Sequence, residues 1–190
     1  MQSVTEKQTQ QPLITPQVSE ADRAHVDEIF SGVQQHMGFV PDGLRLYSMS
    51  PPLLDAFMGN IAYFGMGGTA LPQTLTTMIR YLISWNTGCS FCIDMNESFL
   101  VKMGLDLDTI RACRNNPDKA PFDDKDKALL KLALKAIDNP DIIKQSDLDA
   151  VRKLDWGDRE IFDAIVQAAN NRAFNDVLRT FKIEHQGAYA

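Results

Sequence analysis

The stretch Asn86-Thr87-Gly88-Cys89-Ser90-Phe91-Cys92 decides how this chain is read. Asn-Thr-Gly ends one helical run, and Cys-x-x-Cys opens the next. Two thiols three residues apart on a first helical turn can close into a disulfide. The positive end of the helix dipole also favours a thiolate there, more strongly at Cys89 than deeper in the helix. This is the chemistry of a redox dithiol. It leaves open which of the two thiols attacks a substrate.

Outward from the motif the chain reads as capped amphipathic helices. Before it, Leu71-Pro72 opens a helix whose Leu75, Met78, Ile79, Leu82 and Ile83 form the cleanest apolar stripe. Thr77, Arg80, Tyr81 and Ser84 form the opposite strip, which reads first as a solvated face. A very short turn makes the two helices pack antiparallel, so part of that strip can also look toward the thiols. Arg80 lowers a thiol pKa if it comes within about 6 Å. After the motif, Cys92 and Asn96 share a helix face, the helix stops at Gly104, and Asp106 caps a short helix through Ile110.

Further upstream, Ser19 is the expected cap of a helix carrying Val26, Ile29, Phe30 and Val33, broken by Gly38 to Gly43. Ser50-Pro51 opens another, with Leu54, Phe57, Ile61 and Phe64. Downstream, residues 124–137 present Ala128, Leu130, Leu134 and Ile137. Ser146 is the expected cap of a short helix with Leu148 and Val151. Asp155-Trp156-Gly157-Asp158 introduces a long last helix with Ile161, Phe162, Ile165, Val166, Phe174, Val177, Leu178 and Phe181. No segment alternates with β-branched residues, so the expected fold is all-α. Val101-Lys102-Met103-Gly104-Leu105-Asp106 and Val151-Arg152-Lys153-Leu154-Asp155 hint at an internal helical duplication.

The 190 residues, 44% of them hydrophobic, suit one domain over 19–190. A polar extension, 1–18, precedes it and is expected to be held by packing on a partner subunit. The net charge of −6 argues against a nucleic-acid or anionic-membrane surface. No apolar run reaches the roughly 20 residues of a membrane span, and the N-terminus lacks the apolar core of a secretory signal. The expected location is therefore a reducing cytoplasm, where a lone Cys-x-x-Cys is catalytic or metal-binding rather than a structural disulfide. Zinc asks for four ligands, commonly two spaced pairs. There is one pair, and Cys113, His25, His36 and His185 fall in no paired spacing. A c-type haem needs His after the second Cys, and Ile93 stands there. Cys113 reads as structural and Trp85 as core. The histidines read as surface or packing residues, with His36 able to approach the site.

Gly38-Phe39-Val40-Pro41, Ser50-Pro51, Leu71-Pro72, Ser84, Gly88 to Cys92, the Lys102 to Asp106 segment and Asn175 together resemble the AhpD-like (alkylhydroperoxidase D and carboxymuconolactone decarboxylase) superfamily. The likeness runs from about Val26 to Ile183 and is greatest to the peroxidase-related branch. It implies an all-helical homo-oligomer (dimer, trimer or hexamer) without metal or organic cofactor. It also implies a redox-active Cys89–Cys92 pair that reduces peroxides, or passes electrons between a lipoylated protein and a peroxiredoxin. By the same resemblance Cys92 attacks peroxide and Cys89 resolves. Family members carry Glu twelve residues before the first Cys and His four after the second. This chain has Thr77 and Asn96 at those positions, and Phe91 where some members have another His. Thr and Asn can hold a water but cannot take a proton near pH 7. Acid–base help of this kind is typically worth 10²–10⁴-fold, so weak peroxidase turnover is expected. Two alternatives remain: an enzyme of the decarboxylase type acting on a lactone or small acid, and an oligomeric binding protein that has lost catalysis.

Overall fold

The computed structural model describes residues 11–183, and all regular structure among them is helical. The helices are α1 (Arg23–Met37), α2 (Asp42–Tyr47), α3 (Pro51–Gly65), α4 (Gln73–Thr87), α5 (Ser90–Lys102), α6 (Leu107–Ala112), α7 (Asp124–Asp138), α8 (Gln145–Arg152) and α9 (Asp158–Thr180). Single turns of 3₁₀ helix follow α6 and α7.

Helix α4 is the axis, with α5, α7 and α9 packed around it. That arrangement explains why its stripe is so clean. Leu75, Met78 and Ile79 are fully buried, and Leu82 and Ile83 nearly so. Each such side chain contributes roughly 1.5–3 kcal/mol on leaving water. They pack on Leu129, Leu130 and Ala133 of α7 and on Ala164 and Ala168 of α9. A second cluster joins Leu46, Cys89, Phe91, Cys92, Phe174, Leu178 and Ile183, and a third lies beneath α1 and α3. Residues 11–18 run along the molecule, with the Leu13 amide donating to the Phe181 carbonyl at 3.0 Å and Ile14 resting on the thiol cluster. Residues 1–10 of the N-terminal extension, and His185, lie outside the described residues.

Several sequence expectations shift. Ser19 makes a turn with Asp22, and α1 starts at Arg23. Part of the expected break after α1 is helix α2. Ile61 of α3 is 40% exposed; Leu54 and Phe64 are the buried residues of that helix, and Phe57 packs partly buried on the thiol cluster. In α7 the buried line is Leu129, Leu130, Leu132, Ala133 and Ala136, rotated from the expected one. Ser146 lies inside α8, whose first turn is closed instead by the Asp147 carboxylate accepting from the Lys144 amide. The largest change is in α9. Phe162 is 66% exposed, while Asp163, Gln167, Asn171 and Asn175 face inward at four-residue spacing. The strongest apolar residue of its first turns is outside because a polar line takes the face toward α4.

Candidate active site

Helix α4 ends at Gly88, whose φ of +71° only glycine adopts without cost. This left-handed residue turns the chain so that Cys89, in extended conformation, becomes the N-cap of α5. The turn is pinned by the Cys89 amide donating to the Ser84 carbonyl at 3.1 Å. Cys92 follows on the first turn. Both thiols are free, and both are buried, at 1% and 0% exposure. Apolar groups seal them: Ile14, Tyr47, Phe57, Met95, Val177 and Phe181 are partly buried around the same cluster. Packing here is tight. A Cβ on Gly43 of α2 would stand 2.9 Å from Phe174 Cζ and 3.4 Å from Phe91 Cε1.

The two thiols differ in acidity. Hydrogen bonding from the Cys92 thiol lowers the pKa of Cys89, the Cys92 backbone N–H and the charge of Arg179 add to the lowering, and burial and Asp176 oppose it. Burial first, and then Cys89 itself, raise Cys92 well above the usual thiol range, with Arg80 acting the other way. Of the two, Cys89 is the thiol that ionises first.

The polar strip of α4 is inside the protein. Thr77, Tyr81 and Ser84 are essentially inaccessible, which overturns the solvated-face reading. The physical reason is the position of α4, covered by α5 on one side and α9 on another. Arg80 ties the two relay positions together. Its Nε donates to Asn96 Oδ1 and its Nη2 to Thr77 Oγ1, each at 2.9 Å. Asn96 is held in turn by its Nδ2, which donates to the Cys92 carbonyl at 2.8 Å. Burial lowers the Arg80 pKa to about 10, and the Cys92 charge raises it, so the guanidinium stays charged at neutral pH. Thr77, Arg80, Asn96, Cys89 and Cys92 thus come together as one site.

A second group gathers Ser84 and Asn175, named by the resemblance, with Asn171, which the sequence reading passed over. Asn171 Nδ2 donates to the Arg80 carbonyl (3.0 Å) and Ser84 Oγ (3.1 Å), and Asn175 Nδ2 to Ser84 Oγ (3.2 Å) and Thr87 Oγ1 (3.0 Å). At the far end Asp163 accepts from the Tyr63 and Thr69 hydroxyls. These contacts show that α9 runs in the same direction as α4. Gln167 Oε1, buried between the two ends, has no partner. The sequence signal for this seam was the i, i+4 run of Asp163, Gln167, Asn171 and Asn175.

Other residues behave as follows. Cys113 is buried, its thiol donating to the Thr109 carbonyl. Trp85, expected in the core, is 38% exposed and stacks under Arg114 at 4.3 Å. His36 is exposed on α1, and His25 is exposed and pairs with Asp55. Among the described residues no three His, Cys, Asp or Glu side chains gather into a metal-holding group. No helix of the described residues is long and apolar enough to cross a membrane.

No family model and no curated protein matches the sequence. Solved structures do match. A peroxidase-related protein of Silicibacter sp. TM1040 superposes with a TM-score of 0.85, at 20% identity, over 98% of this chain and 97% of that one. An alkylhydroperoxidase AhpD core protein, itself an uncharacterized peroxidase-related protein from Ralstonia eutropha JMP134, gives 0.78 at 21% identity, over 95% and 96%. The chain has the AhpD-like fold. This AhpD-like fold also covers other chemistry. The debrominase Bmp8, in complex with 2,3,4-tribromopyrrole, matches with a TM-score of 0.68 at 19% identity, over 90% of this chain and 91% of that one.

Proposed function

We propose that this AhpD-like protein is a thiol–disulfide oxidoreductase with weak peroxidase turnover, working through Cys89 and Cys92. The supporting observation is the free, buried thiol pair at the start of α5, with Cys89 the more acidic of the two and the Arg80 guanidinium held on Asn96 beside Cys92. Cys89 then handles the proton that Thr77 and Asn96 cannot. Its thiolate accepts the Cys92 proton as the Cys92 sulfur attacks a hydroperoxide. The O–O bond breaks, Cys92 becomes a sulfenic acid, and the alkoxide takes the proton back from Cys89. The regenerated Cys89 thiolate attacks the sulfenic sulfur, hydroxide leaves and is protonated to water, and the disulfide forms. An external dithiol, such as a lipoyl group of a partner protein, would reduce it again. The oxidised couple is one disulfide, the reduced products one alcohol and one water.

The test is mass spectrometry of the full-length reduced protein after an organic hydroperoxide. The expected result is loss of both Cys89 and Cys92 thiols to one intramolecular disulfide, with Cys113 still free. Persistence of both thiols overturns the reading. Rapid Cys92-dependent turnover at the rates of relay-bearing members would overturn its weak-turnover part.

The near-complete burial of both sulfurs supports a second reading, a binding protein that keeps the fold without the chemistry. Two thiols unreactive toward a disulfide reagent in the native state would favour it.

A further inference from the structure

Arg80 is a partly buried cation with neutral partners. Two of its five N–H groups are spent on Asn96 and Thr77. No carboxylate forms an ion pair with it among the described residues. A guanidinium taken out of water costs several kcal/mol unless an anion faces it. Its mount is also stiff. Asn96 is anchored to the Cys92 carbonyl, and Asn171 bonds the Arg80 carbonyl. The guanidinium is therefore held against Asn96, the residue one helical turn beyond Cys92, with donors to spare for negative charge.

Resting on the thiol-peroxidase reading, we propose that Arg80 is a catalytic residue that binds the oxygen departing at Cys92 during oxidation. In the first step that oxygen is the alkoxide released as the O–O bond of the hydroperoxide breaks and the Cys92 sulfur–oxygen bond forms. In the second it is the hydroxide released from the sulfenic acid as Cys89 closes the disulfide. The alkoxide leaves the oxygen that Cys92 captures and the hydroxide leaves the Cys92 sulfur, so the two departures lie one bond apart. One fixed cation serves both, since charge appears there only as the reaction proceeds. Thr77 and Asn96 are positioning residues: they no longer move protons but hold the guanidinium. Arginine suits this task better than lysine, because a planar fork can keep both holders and still offer donors.

The test compares oxidants that differ in their need for help at the leaving oxygen. Reduced full-length protein is mixed with tert-butyl hydroperoxide, which expels a strongly basic alkoxide, and with peracetic acid, which expels a carboxylate. The rate of the first step, loss of the Cys92 thiol read by quenched alkylation and mass, is followed in the wild type, Arg80→Lys and Arg80→Met, because disulfide closure is the same for both oxidants. Removing one preorganised donor group of this kind typically costs 10²–10³-fold. Arg80→Met is expected to slow the hydroperoxide reaction by about that factor and the peracid reaction by roughly tenfold or less. Arg80→Lys is expected to fall between and to show the same asymmetry. Should Arg80→Met fail to fold, by circular dichroism, the Lys variant alone decides. An equal loss with both oxidants overturns the proposal, because Arg80 would then act on the thiolate only. No loss with either overturns it as well. A wild type that forms no disulfide with any oxidant would instead remove the reading on which it rests.

Discussion

Arg80 and Tyr81 are neighbours on α4, and Asn96 and Glu97 are neighbours on α5. Each pair bonds across the same helix contact, with opposite outcomes. Around Glu97 everything is matched: its carboxylate accepts from the Tyr81 hydroxyl at 2.8 Å, from Arg111 at 2.8 Å and from Arg114 at 2.7 Å. Arg114 also donates to the Tyr81 hydroxyl and stacks on Trp85. Those partners hold the Glu97 carboxyl below its usual range, although burial opposes them. Around Arg80 the charge has no partner of opposite sign except the thiols. The Glu97 cluster ties α6 and its following turn to α4 and α5. The Arg80 site holds an unspent cation beside two sulfurs. A fold puts matched charges where it needs strength, and an unmatched one where it needs chemistry.

The sharpest way to break this contrast is at the sulfurs. Cys92→Ser and Cys89→Ser should each abolish peroxide-driven disulfide formation, read as mass and free-thiol count. Glu97→Gln should leave that reaction within severalfold of wild type. A thiol reaction lost equally in the Glu97 variant would erase the division between the two clusters.

Stability should divide the other way. Glu97→Gln breaks a pair of charged hydrogen bonds at a carboxylate only 12% exposed. Because Arg111 is half-exposed, the cost is discounted to about 2–3 kcal/mol in urea unfolding. Arg80→Met removes a charge that burial already disfavours, so its cost should be smaller, roughly 0–2 kcal/mol, most of it from the orphaned Thr77 and Asn96 oxygens. A larger loss at Arg80 than at Glu97 would contradict the view of Arg80 as an unspent charge.

How much of this was legible in the sequence follows from the same contrast. The all-helical fold, the α4 stripe and the Cys-x-x-Cys turn were readable because periodicity, Gly88 and Pro72 act locally. The family resemblance singled out Thr77 and Asn96, and the strip spacing added Arg80. The burial of that strip was not readable. A line of Thr, Arg, Tyr and Ser looks the same on a solvated helix as on one enclosed by α5 and α9. Nor was the inward turn of α9 readable, since Phe162 and Val166 advertise an apolar face louder than Asn171 and Asn175 advertise a polar one. Trp85 failed for a related reason. A large aromatic is expected inside, but Arg114 covers its face and lets it stay at the surface.

The pH dependence offers a gentler test. Cys92 and Cys113 are both raised by burial. Groups whose folded pKa is raised stay protonated in the fold after the unfolded chain has released its protons, above about pH 8.5. The folded state then binds more protons than the unfolded state, and stability falls as pH rises. The lowered pKa of Cys89 opposes this in part. The urea midpoint should therefore decline from pH 7.5 to 9.5, and Cys92→Ala should flatten the decline. A midpoint that rises over that window would contradict the thiol environment described above.

The smallest effect distinguishes spent from unspent polarity within α9 itself. Asn171 and Gln167 are one turn apart and both buried. Asn171 donates to the Arg80 carbonyl and to Ser84 Oγ, so Asn171→Leu should cost about 1–3 kcal/mol and loosen the mount of Arg80. Gln167 Oε1 bonds to nothing. A buried acceptor without a donor gives nothing to the fold and loses its water, so Gln167→Leu should be neutral or stabilising by up to about 1 kcal/mol. Paired urea titrations of the two variants read the difference directly. If Gln167→Leu costs as much as Asn171→Leu, the Gln167 oxygen is satisfied in solution, and the polar seam between α4 and α9 is continuous from Asp163 to Thr87.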